Sequence, residues 1–426
     1  MRNFESTPSH IDSHGPGGRR KEIEEFARPA PNVKDAGPRR DVGRDNRFAN
    51  RCCFFRPRAL ANLPPPNFLV EHAGGASDRP SSHLISRRRD GLKSLFPRLV
   101  GVRPEGVRVS VVVTVKNDPR VIDCAERVLS QDASFPFELV IVDNGSTNET
   151  PRLLRDRFAN NPRVTILSSG GNLSEAWNHA AATARGQVLV RIDADAIPLP
   201  GWLTALATPI LDGQADWTAG PVGGASPHGS LVERYYHHRT EAYSRRLAQD
   251  ADLRDAVPSW NVAYSRAILE AAGWYDPWQA SSVDWDLHKR LKRFGGHGQF
   301  VPGARALHHH PTTLTEFARK EAWYRTGQYQ MVLKYGIREM RTAFELPFAY
   351  ALLGLILIAS IFWPPLVWAA ASLLIVLLVT HWIDGVREDD PLWPYRALFR
   401  PIEGFAGLYG ILRGVIRYGI RRPAQT

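Results

Sequence analysis

The stretch VSVVVTV, residues 109–115, decides the fold of this chain. An unbroken run of β-branched residues is typical of a strand that is buried on both faces of a parallel sheet. The run ELVIV at 138–142 has the same character, and shorter apolar runs follow at 164–167 and 188–192. The sequence therefore predicts four strands in this part of the chain, of which the first two are buried.

Helical segments separate these strands. Residues 119–131 place their apolar side chains on one side of a helix, and residues 150–159 and 173–185 are also helical in character. A further short strand is predicted at 299–301. Strands that alternate with helices imply an α/β fold, with a mostly parallel sheet covered by helices on both faces.

Three of the predicted strands end in acidic or amide residues. Asn117 and Asp118 follow the first strand, Asp143 ends the second, and Asp193 and Asp195 follow the fourth. Ligands of open parallel sheets bind beyond the carboxyl ends of the strands. We therefore expect these five side chains to line one crevice.

Asp193 and Asp195 are the most informative of these residues. Carboxylates directly after a buried apolar strand are costly unless they hold a cation or accept hydrogen bonds. Mg²⁺ and Mn²⁺ prefer carboxylate oxygens, and either ion would neutralise a departing diphosphate. The alternative is a capped turn without a metal. Asp143 is placed to contact a base or ribose, or else to cap the helix after Asn148.

Two later motifs also carry ionisable groups. Asp284 and Asp286 stand two residues apart before an apolar and basic helix, and Asp284 is the candidate general base. The alternative is that Asp284 or Asp286 caps this helix. The run His308-His309-His310 follows a predicted loop, and the imidazole of His308 is the candidate to complete a metal site. A purely structural histidine is the alternative.

The C-terminal part of the chain changes character near residue 345. Residues 346–363 and 366–383 carry no Asp, Glu, Lys or Arg and are joined at a Pro-Pro pair. Because a bilayer core requires about 20 apolar residues per helix, we predict two transmembrane helices over 346–383, preceded by a helical connector at 321–345. Two buried helices of a soluble domain are the alternative. Arginines flank both outer ends, which places these ends in the cytoplasm.

The two ends of the chain are basic. Residues 1–108 contribute +9 of the net charge of +11, and residues 1–95 have the composition of a disordered leader. The tail at 384–426 is also basic, and its residues 402–420 suit either an amphipathic segment on the membrane surface or a short soluble helix. The three cysteines are odd in number and form no C-x-x-C pair, which argues against a zinc knuckle and a disulfide framework. Nucleic-acid binding is not expected, because aromatic residues do not interleave with the basic ones.

Residues 109 to about 310 resemble family 2 glycosyltransferases, which have the GT-A fold. The resemblance rests on five motifs in the order of the family: ELVIVDNGST at 138–147, NLSEAWN at 172–178, DADAIP at 193–198 with WL at 202–203, GWYD at 273–276, and VDWDL at 283–287. It implies a GT-A domain over residues 105–320 that uses a nucleotide-sugar donor and Mg²⁺ or Mn²⁺.

The resemblance also implies roles for single residues. Asp284 would deprotonate the acceptor hydroxyl in an inverting transfer, and Asp195 and His308 would hold the metal. Asp193 would contact the ribose or the metal. The nucleotide sugar would be bound with help from the residues at the other strand ends and at the start of the third helix, namely Asn117, Asp118, Asp143 and Asn172.

The sequence departs from the family pattern at several positions. The aromatic residue that usually follows the first strand is missing, Asn144 replaces an aspartate, and Val283 replaces a glutamate. The Q-x-x-R-W motif of processive enzymes is absent, which favours the addition of a single sugar. We expect an enzyme of cell-envelope glycan synthesis on the inner membrane, facing the cytoplasm and acting on a polyprenyl phosphate, a lipid-linked glycan or a glycolipid. The alternatives are a non-catalytic membrane scaffold and a transferase with a soluble or protein acceptor.

Overall fold

The computed structural model describes residues 106–226, 228–249, 253, 257, 259–387 and 392–419. The predicted leader at 1–95 and the last residues of the tail lie outside this part of the chain. The main sheet has seven strands in the order β3-β2-β1-β4-β8-β6-β9. These strands are β1 (Val109–Val115), β2 (Phe137–Asp143), β3 (Val164–Ser168), β4 (Val188–Ile192), β6 (Trp217–Ala219), β8 (Asn261–Ser265) and β9 (Gly298–Phe300).

The first four strands of the chain are parallel to one another. β1 pairs with β2 on one side and with β4 on the other, and β3 extends the sheet beyond β2. β8 runs antiparallel to both β4 and β6, while β6 and β9 are parallel. The prediction of a mostly parallel α/β sheet is therefore confirmed. The runs at 109–115, 138–142 and 188–192 lie in the interior strands β1, β2 and β4, and the run at 164–167 lies in β3 at the edge.

Helices cover both faces of this sheet. Val111 and Val113 of β1 belong to the apolar cluster on one face, and Val112 belongs to the cluster on the other. This division follows from the alternation of side chains along a strand. The helices on the first face are α1 (Val121–Leu129), α2 (Thr150–Phe158) and α4 (Trp202–Leu211); those on the second are α3 (Leu173–Thr183), α6 (Arg266–Ala271) and α7 (Val283–Arg293).

A second, three-stranded sheet lies at the exit of β4. It consists of β5 (Ala196–Pro198), β10 (Ala306–His308) and β7 (Val222–Gly224), with β10 in the middle. β10 is antiparallel to β5, and this register sets His308 opposite Ala196. The small sheet thus brings the end of β10 to the turn that follows β4.

Two long helices connect the sheet to the C-terminal part of the chain. They are α5 (Leu231–Ala248) and α8 (Leu314–Tyr335). The predicted division at residue 320 falls inside α8, which is continuous. A capping box starts this helix, because Thr313 accepts from the Glu316 backbone N–H and Glu316 accepts from that of Thr313.

The C-terminal part contains three further helices: α9 (Arg341–Ala359), α10 (Leu366–Arg387) and α11 (Arg396–Tyr418). Among the described residues, one helix, Leu366–Val386, is long and apolar enough to cross a membrane, and only 11% of it is buried. The apolar part of α9 is shorter, from Ala343 to Ala359. A 17-residue helix is about 26 Å long at 1.5 Å per residue, which is less than the ~30 Å of a bilayer core. The prediction of two spanning helices is supported by length for the second helix alone.

Helix α11 packs closely on α8 and α9. A side chain at Gly410 would clash with the carbonyl oxygen of Ala322, and one at Gly404 would clash with the Tyr350 ring. The opposite side of α11 exposes large apolar residues, including Leu412 and Ile416. Residues 402–418 of the segment predicted at 402–420 therefore belong to this longer helix, which has a packed side and an exposed apolar side.

Candidate active site

The site is built where β1, β2 and β4 end at one edge of the main sheet. The parallel register pairs Val115 with Asp143, so these two strands end level with each other. β4 ends at Ile192, and the turn Asp193-Ala194-Asp195 leads directly into β5. Because His308 lies opposite Ala196 in the small sheet, the imidazole is held beside both aspartates.

Asp193, Asp195 and His308 form a compact triad. The Nε2 atom of His308 lies 3.3 Å from Oδ2 of Asp193 and 3.3 Å from Oδ1 of Asp195. One ligand atom from each residue lies within 4.8 Å of the others. Two carboxylates and one imidazole are a suitable donor set for Mg²⁺ or Mn²⁺.

The hydrogen bonding of His308 is compatible with this assignment. Its Nδ1 atom lies 2.6 Å from the backbone carbonyl oxygen of His309 and must donate to it. The neutral ring therefore presents a lone pair on Nε2, toward carboxylate oxygens that are also acceptors. Acceptors that face one another require a cation or a proton between them. Burial opposes a charged imidazole, but Asp195 and Asp193 outweigh it and raise the pKa of His308.

Arg120 links the triad to Asp118. Its guanidinium hydrogen-bonds both carboxylate oxygens of Asp118, at 2.8 and 2.6 Å, and its Nη2 atom lies 3.6 Å from Oδ2 of Asp195. Burial acts to raise the pKa of Asp118, but the bonds from Arg120 lower it overall. Below the triad, the buried Cys124 thiol lies 3.5 Å from the Asp193 carbonyl oxygen.

Asn117 and Asp143 stand together at the ends of β1 and β2. Asn117 has the left-handed φ of 55°, which asparagine tolerates better than most residues. Its side-chain oxygen accepts from the Thr147 N–H at 2.7 Å, and its own N–H donates to the Ser146 hydroxyl. Asp143 accepts from the Ser146 N–H at 3.2 Å. Asp143 therefore closes its own turn and does not cap the following helix, whose N-cap is Glu149.

Asn172 lies apart from this group, at the start of α3. Its side chain accepts from the Glu175 N–H at 3.1 Å and donates to the Pro277 carbonyl oxygen. Glu175 in turn accepts from the Asn172 N–H, which completes a capping box. The structure thus gives this side chain local partners that begin a helix and hold a loop.

Asp284 and Asp286 are both in the first turn of α7, but their surroundings differ. Asp284 is partly exposed and accepts only backbone N–H groups, from Ser259 at 3.2 Å and from Trp285 at 3.0 Å. No described residue forms a salt bridge with it. Burial raises the pKa of Asp284 despite the attraction of Arg191 and these hydrogen bonds. A raised pKa suits a general base.

Asp286 is buried and surrounded by donors. Its carboxylate accepts from Lys334 and Tyr335 at 2.8 Å each and from Arg290 at 2.8 and 3.1 Å. Burial acts to raise the pKa of Asp286, but Lys334 and Arg290 outweigh it and lower the pKa. This carboxylate anchors α7 to α8, so the two residues of the motif have separate roles.

Arg191, a buried arginine, interacts electrostatically with both the metal triad and Asp284. Arg191 of β4 is 3% exposed, and its Nε and Nη1 atoms have no hydrogen-bond partner among the described residues. Its guanidinium lies 5.1 Å from the centre of the Tyr275 ring. Asn178 clamps the Tyr275 backbone with two hydrogen bonds, at 2.7 and 3.1 Å. The positive charge of Arg191 acts on both Asp193 and Asp284.

Helix α8 covers this region and ties it to α11. Lys320 lies 5.1 Å from the Tyr236 ring and is attracted by both Asp195 and Asp193, although burial lowers its pKa overall. Next to Lys320 in α8, Glu321 binds Arg239 of α5 at 3.0 Å, and the same guanidinium binds Glu403 of α11 at 2.9 Å. The sequence reasoning did not identify Arg120, Arg191 or Lys320.

One of these three could have been found in the sequence. Arg191 is a charged residue in the apolar run VLVRI, and a charge inside a buried strand requires a partner. Arg120 and Lys320 carried no such signal, because basic residues are common near helix starts and along helix surfaces.

Residues 110–272 match the family model described as glycosyl transferase family 2. This match falls on the sheet that carries the strand-end residues and confirms the resemblance seen in the motifs. Residues 110–272 therefore form a domain of the glycosyl transferase family 2 type, and its parallel-rich α/β sheet agrees with the GT-A fold that the motifs imply. Asp193 and Asp195 lie within the matched residues, whereas Asp284 and His308 lie beyond them.

Curated relatives resemble the same part of the chain. Chondroitin synthase from Escherichia coli is 28% identical over 169 residues, which are 36% of this chain and 24% of that protein. Hyaluronan synthase from Pasteurella multocida is 23% identical over 263 residues, 52% of this chain and 27% of that protein. The chain thus spans about a quarter of the length of these relatives.

A solved structure with a similar fold is the mannosyltransferase PcManGT from Pyrobaculum calidifontis, in complex with GDP-Man and Mn²⁺. It superposes with a TM-score of 0.49 at 16% identity, over 78% of this chain and 97% of that chain.

Proposed function

We propose that this protein is an inverting glycosyltransferase that moves one sugar from a nucleotide-sugar donor to a membrane-associated acceptor. The observation that carries this proposal is the arrangement of two chemically different groups at one sheet edge. The triad of Asp193, Asp195 and His308 offers a divalent-metal site, and Asp284 offers a partly exposed carboxylate with a raised pKa. The family 2 domain supports glycosyl transfer as the reaction.

The triad serves the leaving group. Asp195 and His308 would hold Mg²⁺ or Mn²⁺, with Asp193 contacting the metal or the ribose. When bound, the ion neutralises charge on the diphosphate as it departs. Arg120 holds Asp118 and approaches Asp195, so it keeps both carboxylates in place for this task. Lys320 adds a positive charge on the side of α8.

Asp284 serves the acceptor. Its carboxylate takes the proton of the acceptor hydroxyl while that oxygen forms a bond to the anomeric carbon. The bond from the anomeric carbon to the diphosphate oxygen breaks on the opposite face, so the configuration inverts. The Ser259 and Trp285 N–H groups hold the carboxylate without supplying a full positive charge. It therefore remains basic enough to accept the proton.

Asn117 and Asp143 are the proposed contacts for the nucleoside. They lie side by side at the ends of β1 and β2, linked through Ser146. In a doubly wound sheet this position faces the crevice that holds the nucleotide. Asp118 is placed beside them through its bonds to Arg120.

The C-terminal helices support a membrane-associated acceptor. α10 is long and apolar enough to span a bilayer, and large apolar side chains of α9, α10 and the turn between them are exposed, with Phe362 at 87% and Trp368 at 75%. Contiguous apolar surface of this kind needs a cover. The arginines outside the helical pair favour a cytoplasmic location for the catalytic domain. The acceptor class we propose is a polyprenyl phosphate, a lipid-linked glycan or a glycolipid.

A binding screen tests the donor. The full-length protein is heated with UDP, GDP and dTDP sugars in the presence of Mn²⁺ or Mg²⁺. We expect at least one nucleotide sugar to raise the melting temperature in a metal-dependent way, because a ligand at 100 times its Kd stabilises the folded state by about 2.7 kcal/mol. The absence of any shift, together with no nucleoside diphosphate release in membrane extracts, would refute the proposed donor class.

A fractionation experiment tests the membrane. We expect the full-length protein to stay with the membrane after a carbonate wash, and to be released only by detergent. Release by carbonate alone would contradict a spanning α10.

A further inference from the structure

The ring of Trp260 lies beside the metal triad. Its centre is 5.4 Å from that of His308, with the two rings inclined by 57°. Trp260 is partly exposed, whereas Trp177, Trp202 and Trp217 are buried in the clusters that cover the sheet. Its position is thus set by something other than the apolar core.

Strand register explains why Trp260 lies there. β8 runs antiparallel to β4, and Ile192 pairs with Asn261. Continuing this register by one residue sets Trp260 beside Asp193. The next residue back, Ser259, donates its N–H to Asp284. Trp260 therefore lies between Ser259, which binds the proposed base Asp284, and Asn261, which pairs with the strand that leads into the metal triad.

The backbone on both sides of Trp260 is fixed. The Asn261 side chain accepts from the Trp202 indole N–H at 2.7 Å and donates to the carbonyl oxygens of Pro221 and Ala304. Ser259 is held by Asp284. A rigid support of this kind fits a side chain that defines the wall of a pocket.

We propose that the Trp260 ring forms the wall of the donor-sugar pocket and contacts the apolar face of the transferred sugar. This inference rests on the proposed function. In an in-line transfer, the sugar lies between the diphosphate at the triad and the acceptor oxygen at Asp284. Trp260 is a partly exposed aromatic side chain in this interval, because its ring contacts His308 and its neighbour Ser259 binds Asp284. An aromatic face suits the C–H groups of a pyranose, and it distinguishes a nucleotide sugar from the bare nucleoside diphosphate.

Isothermal titration calorimetry of nucleotides and nucleotide sugars into the full-length protein, in the presence of Mn²⁺, tests this role. The probes are UDP with UDP-glucose and UDP-N-acetylglucosamine, and GDP with GDP-mannose; the analysis uses the pair that the wild type binds. We expect Trp260→Ala to weaken binding of the nucleotide sugar about tenfold more than binding of its nucleoside diphosphate, which corresponds to ~1.4 kcal/mol. Trp260→Phe keeps an aromatic face and should retain most of the preference for the sugar.

Trp274→Ala is the matched control. Trp274 is partly exposed, as Trp260 is. Its ring contacts the Arg266 guanidinium, which binds the Gly186 carbonyl oxygen at the opposite end of β4 from the triad. We expect this variant to keep the wild-type preference. Mn²⁺ titration and the melting temperature of each variant establish that the triad and the fold are intact.

Three results would overturn the inference. If Trp260→Ala weakened binding of the nucleotide sugar and of the nucleoside diphosphate equally, the ring would only shield His308. An unchanged preference in both Trp260 variants would mean that the ring does not touch the sugar. A wild type that binds none of these probes would remove the proposed donor class as well, which distinguishes that failure from the other two.

Discussion

The Asp-x-Asp pairs at residues 193–195 and 284–286 have the same spacing but different surroundings. The pair at residues 193–195 lies in a turn after a strand, and both carboxylates meet His308. The pair at 284–286 lies in the first turn of a helix, where residues two apart face different directions. Asp284 is therefore partly exposed, while the Asp286 carboxylate accepts hydrogen bonds from Lys334, Tyr335 and Arg290. The comparison teaches that the element carrying the pair, and not the spacing, decides whether two carboxylates act together.

The largest expected effect is on Asp284. We expect Asp284→Asn to lower turnover by about 10²–10⁴-fold, because the amide cannot accept the acceptor proton. Steady-state kinetics measure the loss, and titration with Mn²⁺ and nucleoside diphosphate should show unchanged binding. Retained turnover would leave the scaffold alternative standing.

The metal pair should respond differently. We expect Asp195→Asn to weaken Mn²⁺ binding and to lower turnover by roughly 10²-fold, since the ion supplies several kcal/mol of charge stabilisation and each 1.36 kcal/mol is a factor of ten. Calorimetric Mn²⁺ titration and kinetics measure both. Asp212→Asn, at an exposed position after α4, is the control. Unaltered metal affinity in Asp195→Asn would show that the triad is not the site.

Asp286 should affect stability and not chemistry. We expect Asp286→Asn to lower the free energy of unfolding by about 3 kcal/mol, because it leaves buried cations without their anion. The lowered pKa of Asp286 means that its contribution is complete above the pKa of an unfolded aspartate and is lost as the pH falls through the folded value. The variant and the wild type should therefore converge in acid, as followed by urea unfolding at several pH values. A difference in stability that persists in acid would contradict this account.

The smallest effect concerns the charge behind Asp284. Arg191 lowers the pKa of Asp284, and burial raises it. We expect Arg191→Met to move the acidic limb of the kcat/KM profile to higher pH, because a less stabilised carboxylate binds its proton more tightly. Arg191→Lys keeps the charge and should shift the limb less. An unmoved limb in both variants would mean that the base titrates independently of Arg191.

Much of the sheet could be predicted, because each of its main strands is a continuous run of apolar residues. The runs at 109–115 and 188–192 are strands with the predicted ends. The C-terminal helices were less predictable. The apolar run at 346–363 reads as one segment in sequence, yet α9 ends at Ala359 and the Pro-Pro pair lies in a longer turn. Helix ends depend on packing as well as on composition.

Part of the site could also be predicted. A carboxylate pair after an apolar strand indicated a cation, His308 was the predicted third ligand, and the structure brings the three residues together. Trp260 was missed, since its position beside the triad arises from the pairing of β4 with β8. The structure shows that the Asn172 side chain caps α3 and holds the Pro277 carbonyl oxygen; its contact with the nucleotide sugar stays a prediction.

The sequence by itself determined the alternating strands and helices, the acidic strand ends and the apolar C-terminal helices, because each depends on residues that are neighbours in the chain. Only the tertiary structure decided that residues 193 and 308 meet and that Asp284 and Asp286 separate. Those outcomes depend on strand register and on helix packing between segments far apart in sequence. Such contacts form only when the core has closed around them.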